Sequence, residues 1–244
     1  MTAAPEHHLP EVVLRPVRGH HAFEACVGQL GTAIRLGVYP LGSALPPERD
    51  LAERLDVSRA TLREAMAALR QAGLIETTRG RGGGTVVTWE PRSPSGRMAA
   101  RTSAAKRRDW VDALDYRRVV EPGAAALAAG LDLGDVRRGQ LERAHADVAG
   151  AVKPAEHRQA DSRFHLTLAA LTGSPRLIEA VTSVQSTLHE MLLAIPVLQT
   201  NIAHSDLEHA AVVQAVLSGR PDRARRAMEQ HCDDTAALLR GLVG

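Results

Sequence analysis

The sequence predicts a mainly α-helical chain in two parts: a small N-terminal helical domain closed by a β-hairpin, then a C-terminal antiparallel all-helical bundle. Three observations predict it. Aromatic residues are only 2% of the 244 residues, so the core must be built from Ala, Leu and Val, which pack as helices more readily than as a sandwich of sheets. From residue 109 onward, apolar residues recur at helical spacing in long segments whose breaks are short and carry Gly, Pro or Asp, the pattern of antiparallel neighbours in a bundle. Charge is split as well. Residues 91–108 carry six basic and no acidic side chains, whereas residues 109–244 carry 14 basic and 18 acidic ones.

Residues 1–20 mix Pro, His and Arg without periodicity and are expected to form a flexible tail. They contain no apolar core of a secretory signal, and no run of about 18 apolar residues occurs in the chain. Two cysteines, Cys26 and Cys232, are too few for a disulfide framework, which points to the cytoplasm.

The first domain is expected over residues 21–89. Phe23, Val27, Leu30, Ile34 and Val38 fall at 3.6-residue spacing and predict a helix at 22–37. Gly37, Pro40 and Gly42 end it, and Pro46-Pro47 opens a short second helix through "ERDLAERL". "DVS" is a turn. Ser58 is placed to cap a third helix, 59–72, whose inner face includes Leu62, Met66 and Leu69. Strands at 74–78 and 85–89 flank the glycine-rich turn "TRGRGGG". Helix, helix, turn, helix and hairpin in that order form a winged helix-turn-helix, whose last helix enters the major groove of DNA by its N-terminal residues. Ser58, Arg59, Thr61 and Arg63 crowd that end, and Arg79 and Arg81 sit on the wing where glycine permits close backbone approach. The competing reading is a solvated charged face, since residues 20–90 hold eight basic and eight acidic side chains. The co-occurrence of helix pair, cap, basic face and glycine wing in one register favours DNA.

"LPPERDLAERLDVSRATLREAMAALRQAGLIETTRGRGGGTVV" resembles the winged helix-turn-helix of the GntR family of bacterial transcription regulators, over about residues 24–88. The resemblance implies operator contacts from Arg49, Arg59, Arg63 and the wing at Gly80-Arg81. Two features depart from the family pattern: "YPLGS" has an extra residue, and Asp56 stands at the turn usually held by glycine.

Residues 90–108, "EPRSPSGRMAARTSAAKRR", are rich in Pro, Ser, Gly and Arg and are expected to be a basic linker. Six helices are expected after it, at about 109–129, 134–151, 155–172, 175–194, 201–218 and 221–241. Within them "DSRFHLTLAAL" sets Asp161 and His165 four residues apart on one face. His209 lies in register with Ile202, Val213 and Val216, and His231 with Met228, Thr235 and Leu238, again facing inward. A carboxylate and three imidazoles on apolar faces suit a divalent transition metal, Zn²⁺ first, with Ni²⁺ and Mn²⁺ as the other candidates. The alternative from spacing alone is a set of hydrogen-bonded core histidines. His145, His157, His189 and His204 are expected at the surface. Cys232 diverges from His231 by roughly 100° on the helix and is a poor ligand.

Residues 110–241 resemble the FCD effector domain of the FadR-type branch of the same family, on "DYRRVVEPGAAALAA", "DSRFHLTLAALTGSPRL", "SDLEHAAVVQAV" and "ARRAMEQHCDD". Its metal-dependent members bind the ion through an Asp-x-x-x-His pair and two later histidines, which fall on Asp161, His165, His209 and His231. The resemblance also implies that Arg117 holds the carboxylate of a hydroxy, keto or sugar acid beside the metal. It further implies a homodimeric regulator, most often a repressor, reading operator DNA of two-fold symmetry. An effector-binding and dimerisation domain at 109–244 completes the expected organisation. An enzyme on the same ligands is disfavoured by the lack of HExxH, nucleophile elbow or evident general base. A dimerising bundle with structural histidines is the other rival.

Overall fold

The computed structural model describes residues 9–17, 21–78, 83–90, 103–195 and 199–243. They fall into two compact units, one within residues 7–91 and one within 92–244. The architecture is mainly α-helical, with one two-stranded sheet among the described residues.

The N-terminal unit begins with α1 (Leu9–Val13). Part of the expected tail is therefore packed structure. Val13 and Leu14 are buried, the Val17 amide donates to the Leu55 carbonyl at 2.7 Å, and the Arg15 amide donates to Gln29 Oε1 at 2.8 Å. Leu9, Val12 and Val13 do stand at i, i+3 and i+4, but five residues are too short a stretch for the spacing to stand out from the Pro, His and Arg around it.

In α2 (Ala22–Arg35), Cys26, Leu30, Ala33 and Ile34 face the core. This stripe leaves Phe23 exposed, against the expected face. The helix pair α3 (Glu48–Leu55) and α4 (Arg59–Gln71) is joined through Asp56, the only non-glycine residue with positive φ among those described, at φ 53° and ψ 48°. Asp tolerates the left-handed region better than most residues, so the turn closes without glycine. The Ser58 hydroxyl accepts from the Thr61 amide at 3.0 Å and caps α4. Strands β1 (Ile75–Thr77) and β2 (Thr85–Val87) pair antiparallel with Ile75 opposite Val87, and Ala44 bridges to Val86.

The C-terminal unit consists of α5 (Ala104–Ala129), α6 (Asp135–Gly150), α7 (Pro154–Leu171), α8 (Pro175–Ala194), α9 (Gln199–Leu217) and α10 (Pro221–Val243). Helix α5 starts inside the expected linker. Ser103 accepts from the Lys106 amide at 3.2 Å, and "AAKRRDW" is good helix-forming sequence once capped. Pro122 lies within α5. It has no N–H to give the carbonyl four residues back. Helix α10 packs on α5 and α9, α6 on α7, and α8 on α5 and α7.

Helix α7 is buried around almost its whole circumference, which marks it as the centre of the bundle. Two apolar blocks fill the interior. One gathers Ala125, Ala129, Leu141, Phe164, Val212 and Met228; the other gathers Trp110, Leu114, Leu188, Met191, Ala236 and Leu239. The small side chains of α5 let its neighbours approach closely, as the low aromatic content requires.

Candidate functional site

On α4, Ser58, Arg59 and Arg63 are exposed and Thr61 is half-buried. Arg63 Nε donates to Glu48 Oε2 at 3.0 Å, and Arg49 Nε to Asp50 Oδ1 at 3.0 Å. Exposed pairs of this kind contribute on the order of 0–1 kcal/mol, so either guanidinium can exchange its carboxylate for a phosphate. The expected wing contacts Arg79, Gly80 and Arg81 lie outside the described residues.

Between the two apolar blocks of the bundle lies a layer of polar side chains. Buried Arg117 and Glu121 come from α5, half-buried Asp161 and buried His165 from α7, buried His209 from α9 and buried His231 from α10. The ligand atoms of His165, His209 and His231 all lie within 4.8 Å of one another. Their Nε2 atoms are the converging ones: His209 and His231 approach to 3.4 Å, and Arg117 Nη2 stands 2.9 Å from His231 and 3.5 Å from His165. Asp161 borders the same point, with Oδ1 3.5 Å from His209 Nε2 and Oδ2 4.0 Å from His165 Nε2. The structure thus places all four expected ligands and Arg117 around one point.

The outward nitrogens of two of these histidines face carboxylates. His231 Nδ1 hydrogen-bonds Glu208 Oε2 at 2.9 Å, while His165 Nδ1 lies 3.0 Å from Glu121 Oε2 without hydrogen-bond geometry. Where the Glu208 carboxylate accepts the Nδ1 proton, His231 Nε2 keeps its lone pair directed inward. Glu121 is fixed in turn by Arg117 Nε at 2.9 Å and by Gln185 Nε2, which donates to its other oxygen at 2.7 Å. Phe164 lies against the His209 ring at 4.4 Å between centroids. Cys232 points at Glu121, 3.7 Å away, and not at the histidines.

Electrostatics agree with the geometry. Burial first, then the neighbouring imidazoles and Arg117, hold His209 well below the usual histidine range; burial and then Arg117 do the same for His231. Both are neutral imidazoles near pH 7. Burial alone would raise Glu121, but attraction to Arg117 and His165 outweighs it and keeps the carboxyl well below the carboxylate range. Burial and then Asp234 push Glu208 up to about 7. The Arg117–Glu121 pair, with both side chains 2% exposed, is no ordinary surface pair of neighbouring turns.

The residues fit a metal ion. His165, His209 and His231 bring ligand atoms within 4.8 Å of one another, with Asp161 Oδ1 3.5 Å from His209 Nε2, close enough for one ion to be shared among them. His209 Nδ1 has no hydrogen-bond partner among the described residues, so its buried ring is under-satisfied as it stands. Neutral nitrogen donors and one carboxylate are the ligand set of Zn²⁺, Ni²⁺ or Mn²⁺.

A pocket of about 80 Å³ opens beside this point, with Arg117, Asp161 and His231 at its inner end. Arg158, His157, Ser205 and Thr235 also line it. His157 and His189, expected at the surface, are buried, and His157 Nε2 lies 3.2 Å from Asp206 Oδ1. Arginine and histidine on the central helix break its apolar pattern, which hid its burial. His145 is half-buried and His204 exposed.

Comparison with known proteins agrees with both halves of the chain. Residues 24–87 match the model of the bacterial regulatory proteins of the gntR family, and residues 112–234 match that of the FCD domain. RmpR of Mycobacterium gastri, an HTH-type transcriptional regulator by name, is 32% identical across 85% of this chain and 76% of its own. A protein of Escherichia coli (strain K12) named for regulating the L-lactate dehydrogenase operon is 32% identical across 78% of this chain and 75% of its own. The solved structure of E. coli McbR/YncC has the same fold, with a TM-score of 0.55, 16% identity, and coverage of 93% of this chain and all of that one. No helix among the described residues is long and apolar enough to cross a membrane.

Proposed function

The chain belongs to the GntR family of bacterial regulatory proteins and carries an FCD domain, and from that premise we propose that a small carboxylic acid, bound beside a divalent metal ion in the bundle, controls its hold on operator DNA. The protein is a DNA-binding transcriptional regulator, as its family is, and not an enzyme. We assign operator contact to Arg49, Ser58, Arg59, Thr61 and Arg63, with the wing residues Arg79, Gly80 and Arg81 beside them. Two copies of the chain, acting as a repressing homodimer, read an operator of two-fold symmetry.

Asp161, His165, His209 and His231 hold the ion, Zn²⁺ by preference. The ion supplies an open coordination position for an acid oxygen. Glu208 keeps the His231 imidazole turned so that Nε2 faces inward. Arg117 presents a guanidinium at the pocket's inner end, where a carboxylate accepts from its N–H groups. The observation that carries this reading is the convergence of three imidazole Nε2 atoms and Arg117 Nη2 on one point, of whose residues Arg117, Asp161 and His231 also line the adjoining pocket. The relative named for a lactate dehydrogenase operon supports a hydroxy acid as ligand.

The test is a thermal-shift screen of hydroxy, keto and sugar acids on the zinc-loaded protein, repeated with chelator. Binding at a hundred times Kd stabilises by about 2.7 kcal/mol. A binding acid should raise the melting temperature, lose that effect on chelation, and weaken binding to a labelled operator. A series in which no acid shifts melting, or in which bound acid leaves operator affinity unchanged, overturns the proposal.

A further inference from the structure

The pocket is tiered, and its tiers follow from counting along three helices. Asp161, His209 and His231 form the inner tier at the ion point. Seven residues from each stand Pro154 on α7, Ile202 on α9 and Leu238 on α10. Seven residues are almost two full turns, so the side chain returns to the same face about 10 Å further along. Pro154, Ile202 and Leu238 all line the pocket that Asp161 and His231 open into. The outer tier is therefore apolar on three sides, and Leu192 and Ile195 of the α8 end add to it.

One turn from the inner tier the lining is polar. Arg158 stands three residues before Asp161, Ser205 four before His209, and Thr235 four after His231. The Thr235 hydroxyl donates to the His231 carbonyl at 2.9 Å and keeps its lone pairs for an incoming donor. Most polar partners for a ligand thus lie within about one turn, roughly 5 Å, of the ion point. Beyond them, among the described residues of these three helices, a ligand meets Pro154, Ile202 and Leu238, with Asn201 as the one polar side chain.

We infer that the acid sensed here is a 2-hydroxy or 2-keto monocarboxylic acid with an aliphatic tail that reaches the Pro154–Ile202–Leu238 tier. This rests on the proposed acid site and specifies its ligand. The carboxylate and the 2-oxygen occupy the inner and middle tiers, where Arg117, Arg158 and the hydroxyls supply charge and hydrogen bonds. The tail leaves water for the outer tier. A three-carbon acid leaves that tier without a partner, and a sugar acid brings to it several hydroxyls that lose water and find one side-chain amide, that of Asn201, among apolar neighbours.

The experiment is calorimetric titration of the full-length zinc-loaded chain with lactate, 2-hydroxybutyrate, 2-hydroxyhexanoate, 2-hydroxyoctanoate and gluconate. Affinity should rise about fourfold with each added methylene until the tier is filled, and gluconate should bind more weakly than 2-hydroxyhexanoate. Ile202→Phe, which fills the outer tier, should abolish the gain for the long acids while lactate binds as before. Leu238→Phe, on another helix, makes the same test if Ile202→Phe does not fold. Affinity that is flat or falls with tail length, or gluconate binding tightest, overturns the inference and leaves acid sensing at the ion intact. Failure of every acid to bind the zinc-loaded chain overturns the acid site itself, and the inference with it.

Discussion

Arg117 on α5 reaches across the bundle to His231 on α10, placing Nη2 2.9 Å from the ring's Nε2 while its Nε holds Glu121 at 2.9 Å. One guanidinium therefore joins the carboxylate that stands 3.0 Å from His165 Nδ1 to the imidazole that faces the ion point. The pair with Glu121 is buried on both sides, and its rupture should be costly. Glu121→Gln leaves a buried cation without its counter-charge, for which about 3–5 kcal/mol of lost stability is expected. The urea midpoint of the C-terminal transition reads this directly. A midpoint equal to that of the parent chain would show that the charge is compensated elsewhere.

Metal content should follow the ligands. Protein purified without a histidine tag is expected to carry one zinc per chain. His209→Ala and His231→Ala should each reduce this to a small fraction while helical content, by circular dichroism, is kept. Asp161→Asn should weaken retention less, because the carboxylate is the most exposed member of the set, at 14% for its side chain. Elemental analysis that finds full occupancy in His231→Ala would remove that histidine from the coordination sphere.

Acid should unfold the metal-free bundle early. His209 and His231 are held well below their usual range by burial, while the unfolded chain titrates near 6.5. Below that pH the unfolded state binds more protons, so the stability these two groups contribute is complete above about pH 6.5 and is lost as pH falls. Glu208, raised to about 7 by burial and Asp234, acts in the opposite sense between its unfolded value and 7. Two groups against one leave a net loss. Glu121, held low, adds its own loss in the lower part of the carboxylate range. Urea midpoints measured in EDTA should fall between pH 6.5 and 5, and a flat profile would contradict neutral buried imidazoles.

DNA binding should separate by contact type. Arg59→Ala and Arg63→Ala should each weaken operator binding, and loss of a phosphate contact should reduce the slope of log affinity against log salt by about one. If binding and slope both stay at the parent value, the residue faces solvent in the complex.

The Asp56 turn gives a backbone test. A β-branched residue at φ 53° is strained, and Asp56→Val should cost about 1–2 kcal/mol in the N-terminal unit. Asp56→Gly should be tolerated, with the unfolding transition of that unit as the readout. Equal stability of the valine variant would mean that the turn relaxes.

Much of this was legible in the sequence, for physical reasons that differ by residue. Asp161 and His165 declare a shared face through four-residue spacing, and Ser58 declares a cap through its place before a helix. Glu121 declares its pairing with Arg117 through four-residue spacing, but neither it nor Glu208 declares a histidine neighbour, because pairing across a bundle has no period in sequence. Burial of His157 and His189 was hidden in the same way: on the central helix and its partner even polar residues point inward. The start of α5 was masked by charge, since "AAKRR" has the composition of a linker and the propensity of a helix. The outer apolar tier could be counted from sequence only after the inner tier had been located.

Pro122 follows Glu121 directly and interrupts the hydrogen-bond ladder of α5 one turn beyond Arg117. The Arg118 carbonyl therefore has no amide four residues ahead to close its turn, and this gap in the α5 ladder falls at the level where Arg117 and Glu121 meet.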